Sequence, residues 1–107
     1  MSQKIYGVDP QEEITPLKVR DALVECFRQA HCEDSGVDAS EKEVNAQYCC
    51  ELVKKAFAEA KVDFGHPTKE GIQKAMGNLA EFAKKFRDPG IIEKHKSEIM
   101  KLVNKLK

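Results

Sequence analysis

Four side chains in this sequence have the chemistry to act together: Cys26, Cys49, Cys50 and His95. Thiolates and an imidazole suit zinc or another soft metal, and thiols alone suit redox exchange. The spacing carries no local signature. Cys49 and Cys50 are adjacent, no C-x-x-C pair occurs, and the histidine lies far along the chain. Free cysteine also packs well as a small buried residue, and the expectation is that no cofactor is required. Cys32 beside His31 is a poorer pair, because helix neighbours diverge by about 100°. The chain contains no glycine-rich phosphate loop, no H-E-x-x-H and no G-x-S-x-G. The reading therefore leans away from an enzyme.

The elements that would position these residues are helices. Thr15-Pro16 reads as an N-cap followed by proline at the first helical position, opening a helix over about 16–32. Val19, Leu23, Cys26, Phe27 and Ala30 share one face, and Leu17, Val24 and His31 widen it. An arc this broad belongs to a central helix or to one that also meets a partner. The acidic linker from Glu33 to Ala39 lacks the spacing of a calcium loop and reads as solvated loop and caps. Ser40-Glu41-Lys42-Glu43 is a capping box for a second helix over about 41–61. Its apolar face is Ala46, Cys49, Cys50, Val53, Ala56, Phe57 and Ala60.

A third helix, about 69–86, follows Thr68. Ile72, Ala75, Met76, Leu79, Phe82, Ala83 and Phe86 recur at helical spacing, with Gly77 on the opposite face. Asp88-Pro89 opens a fourth, about 89–106, with a stripe of Ile92, His95, Ile99, Leu102, Val103 and Leu106. Residues 1–13 form an N-terminal arm in which Lys4–Val8 is a short extended piece without a strand to pair with. The connections are short, which favours antiparallel neighbours. The expected fold is an all-α, up-down-up-down four-helix bundle forming one domain over 1–107; an irregular helical array is the runner-up. Levelling antiparallel helices through their linkers puts Cys26, Cys49 or Cys50, and His95 in one layer, to within about 4–5 Å.

Composition limits the function classes. Hydrophobic residues make up 41% and charged residues 34%, a globular rather than a disordered balance. No apolar run approaches the roughly 20 residues of a membrane span, and the N-terminus lacks the apolar core of a signal peptide. The cysteines then read as thiols of a cytoplasmic protein. Eighteen basic and eighteen acidic residues cancel, yet they are unevenly placed. Residues 1–53 hold 5 basic and 11 acidic side chains, and residues 54–107 hold 13 and 7. Nucleic-acid binding by the lysine-rich second half is a weak reading, because only three arginines are present and the phenylalanines lie on the helical stripes. The leading expectation is a module that binds another protein or itself, with Leu17, Val24 and Tyr48 as contacts. A thiol/histidine metal or redox module on Cys26, Cys49, Cys50 and His95 is the alternative.

Overall fold

Threonine starts two of the helices. In a computed structural model of the chain, which describes residues 4–38, 46–88 and 90–106, Thr15 Oγ1 accepts the amide of Lys18. Thr68 Oγ1 likewise accepts the amide of Gly71. Each bond satisfies a first-turn N–H that has no partner inside its helix. The helices are α1 (Pro16–Ser35), α2 (Ala46–Glu59), α3 (Lys69–Phe82) and α4 (Gly90–Val103). A 3₁₀ turn, Ala83–Lys85, extends α3.

The chain is all-α among the described residues, with four helices packed on a shared core and a single Ile5–Val8 bridge in the arm. α1 is the central element. It packs most heavily on α4, then on α2, and also on α3, while α2 packs closely on α3. The broad apolar arc of α1 is thereby used inside the fold. Val24, at its edge, is partly buried against the core. Val19, Ala22, Val53, Ala56, Phe57, Ile72, Ala75, Ile99, Leu102 and Val103 are fully buried.

Helix ends differ from the sequence expectation where caps reach further than periodicity. α1 continues to Ser35, through Glu33 and Asp34, and stops at Gly36. There φ is 73°, Val37 N–H donates to Cys32 O at 2.9 Å and Gly36 N–H to Glu33 O at 3.3 Å. This left-handed stop satisfies the last carbonyls, and glycine adopts it without strain. Two acids assigned to a linker thus become helical side chains, Glu33 reaching α4 and Asp34 the connection before it. α2 ends two residues early, with Lys61 at φ 60°. α3 tightens after Phe82, and α4 gives way after Val103. Asp88 Oδ1 accepts the Gly90 amide at 3.0 Å, as a helix-starting aspartate does. The capping box at Ser40–Glu43, the first turn expected for the second helix and Pro89 lie outside the described residues.

The arm is a tight turn rather than an extended piece. Ile5 and Val8 exchange amide bonds of 2.8 and 3.0 Å across Tyr6 and Gly7, whose φ values are 49° and 83°. Two successive positive φ values characterise a two-residue hairpin turn that follows the natural strand twist.

Candidate functional site

The structure separates the residues of the expected cysteine/histidine layer. Cys26 and His95 do meet: Cys26 Sγ lies 3.7 Å from the His95 carbonyl oxygen, at bond distance for a thiol donor. Cys49 instead adjoins Cys32, Arg28 and Cys50 on the α1–α2 side of the core. Cys50 is half-buried, and all four cysteines are free thiols. Among the described residues, no three His, Cys, Asp or Glu side chains are grouped to hold a metal ion.

Two partners missing from the expected layer complete the environment of His95. Tyr6 Oη lies 2.7 Å from His95 Nδ1, and His95 Nε2 lies 2.9 Å from Glu33 Oε2. An ionised carboxylate only accepts, so Nε2–H donates to Glu33, and in the neutral ring Nδ1 accepts the phenol proton. Lys94 Nζ holds the other Glu33 oxygen at 3.1 Å. His95, with Lys94, keeps the Glu33 carboxyl below the usual range. Burial pushes the Tyr6 phenol above its ordinary value and the Cys26 thiol up to about 12. At neutral pH both are protonated donors and poor nucleophiles. The chain Tyr6–His95–Glu33 therefore ties the arm to α4 and α4 to α1, and every hydrogen-bonding atom in it has a partner. Nothing in the sequence pointed to Tyr6, because its partner lies 89 residues away.

A second polar group escaped the sequence reading. Arg28 is only 3% exposed. Its Nε donates to Glu25 Oε2 at 2.9 Å, while its Nη2 pairs with Glu25 Oε1. Bonding to that carboxylate raises the guanidinium pKa further. Burial pushes the Cys49 thiol up to about 12, with Cys32 adding to the effect.

The three expected contact residues fall in different places. Leu17 is exposed at the start of α1 and Val24 packs inward. Tyr48, 55% exposed, belongs to an aromatic cluster. Its ring centroid lies 5.3 Å from that of His31. His31 meets Phe86 edge-on at 5.9 Å, and Phe86 meets Phe27 at 5.9 Å. These rings floor a groove of about 310 Å³ between the end of α1, the start of α2 and the end of α3. Leu52 and Phe82 complete its apolar wall. Lys55, Lys85 and Arg87 supply positive charge, and Lys55 Nζ sits 5.7 Å from the Phe82 ring centroid. Asp34 closes one end, accepting the amides of Arg87 and Asp88 at 3.0 and 2.9 Å. The groove combines an aromatic floor with a cationic rim.

No family model matches the chain, and no curated protein or solved structure is significantly similar to it.

Proposed function

We propose that this protein is a binding module that docks a segment of another protein in the groove of Tyr48, His31, Phe82 and Phe86. One observation carries the reading: Tyr48 stays more than half exposed while its ring meets His31, the first of a run of rings that leads into the core. Tyrosine anchors interfaces well, because it offers a large amphipathic surface with few rotatable bonds. The reading takes the helices as an antiparallel up-down-up-down bundle. The close packing of α1 on α2 and of α2 on α3 supports that order. It also takes the protein as cytoplasmic, which the four free thiols suit. Among the described residues no helix is long and apolar enough to cross a membrane.

The test is quantitative affinity capture from the native host with three baits. Wild type and Leu17→Ala should retain a common partner, and Tyr48→Ala should lose it. Leu17 is the control because it lies about 21 Å along α1 from His31, at 1.5 Å per residue. Equal capture by all three baits, or no specific capture by wild type, overturns the proposal.

A further inference from the structure

We infer that the segment taken by this groove is acidic, placing one large apolar side chain against Tyr48 and Phe86 and carboxylates on Lys55, Lys85 and Arg87. The inference rests on the docking reading above. Its basis is the charge of the rim. Among the described residues, Lys55, Lys85 and Arg87 form no ion pair. Neighbouring lysines are paired: Lys54 with Glu51 at 3.7 Å and Lys84 with Glu81 at 2.9 Å. The carboxylate that lines the groove, Asp34, is committed to the Arg87 and Asp88 amides. Three cations therefore line the groove against one carboxylate, Asp34, which faces Arg87 and offsets part of its charge, so the rim keeps a net positive charge.

Size and ring packing narrow the occupant. A volume of about 310 Å³ is at the small end of ligand pockets and suits one or two large side chains. Single-stranded nucleic acid needs free ring faces on which successive bases stack. Here Phe86 is taken up by His31 and Phe27, leaving Tyr48 as the largely exposed aromatic of the groove. The rim also carries a single arginine, the side chain best suited to paired phosphate contacts. A protein segment with an aromatic or aliphatic anchor and flanking carboxylates meets both the floor and the rim. Screening acts over about 8 Å at physiological salt, so the charges select the partner mainly at close range.

Fluorescence anisotropy tests this with three labelled peptides: glutamates around one tryptophan, lysines around the same tryptophan, and glutamates around serine. The acidic tryptophan peptide should bind wild type, weaken about tenfold or more from low to high salt, and lose about tenfold with Lys55→Glu/Lys85→Glu. That variant should instead gain affinity for the lysine peptide. The serine peptide should bind poorly, and Tyr48→Ala should abolish binding. All these positions are exposed, and circular dichroism confirms that each variant is folded. If the lysine peptide binds wild type as well as the acidic one and both need Tyr48, the acidic inference fails while docking stands. If no peptide binds, both fail. Tyr48-dependent binding of labelled oligo(dT), or Tyr48-dependent self-association by light scattering, assigns the groove to a different occupant and overturns the inference.

Discussion

Tyr6 sits in a left-handed backbone conformation at φ 49°, which costs a non-glycine residue of order 1 kcal/mol. The surrounding contacts outweigh that cost, because the same residue supplies the proton that His95 Nδ1 accepts at 2.7 Å. Tyr6→Phe keeps the ring and removes the donor, leaving an almost buried imidazole nitrogen unsatisfied. The expected loss is about 1–3 kcal/mol, read from urea unfolding midpoints. A second prediction concerns alkaline pH. Burial raises the Cys26 thiol from 9.0 to about 12, so the folded chain keeps a proton that the unfolded chain releases. That contribution is full below about pH 9 and declines as pH rises toward about 12. Cys26→Ala should flatten the fall in stability over this interval; an unchanged slope contradicts the assignment. Glu33 works in the opposite sense. Its lowered pKa contributes stability above the ordinary carboxylate range of about 4.3, which is lost as pH falls through the folded value. Because Glu33 is partly exposed, water and salt keep that contribution small.

At the scale of elements, two glycines of α3 predict opposite outcomes for the same substitution. A Cβ at Gly71 would lie 2.5 Å from Val62 Cγ1, so Gly71→Ala forces the α2–α3 connection away and destabilises. Gly77 has open space around it, and Gly77→Ala should stabilise by about 0.5–1 kcal/mol through helix propensity alone. Thermal unfolding of the two variants decides the pair. The helices were legible because their signals are local: Thr15-Pro16, Thr68 and the stripe from Ile72 to Leu79 each lie within a few turns. The last turn of α1 was not, because its apolar stripe ends before its cap and the acids there resemble a linker. Levelling through the linkers brought Cys26 to the height of His95. It carried no rotation about each helix, so it could not place Cys49 with Arg28 and Cys32 instead. The Tyr6 turn was illegible for a related reason. Tyr-Gly is a weak turn sequence beside Asn-Gly, and what fixes it is a histidine 89 residues away.

At the scale of the whole molecule, most ion pairs among the described residues form within one half of the chain. Among the described residues Glu33 is the acid of the first half that reaches across the fold to bases of the second, Lys94 and His95. Elsewhere Asp34 carries the connection before α4 through its amides. The groove keeps a net positive rim around exposed Tyr48, with Lys55, Lys85 and Arg87 against the single carboxylate of Asp34. Tyr48 was expected from the sequence to be exposed, and it is. The floor beneath it was not foreseen, since Phe82 and Phe86 read as core positions of the third helix, and both pack partly against the core while also lining the groove. The most direct measurement is a two-dimensional amide NMR titration of the folded protein with the acidic tryptophan peptide. Shifts should cluster at His31, Tyr48, Leu52, Phe82 and Phe86 and disappear with Tyr48→Ala. Shifts centred on Tyr6 and His95, or an unchanged spectrum at saturating peptide, would contradict the account.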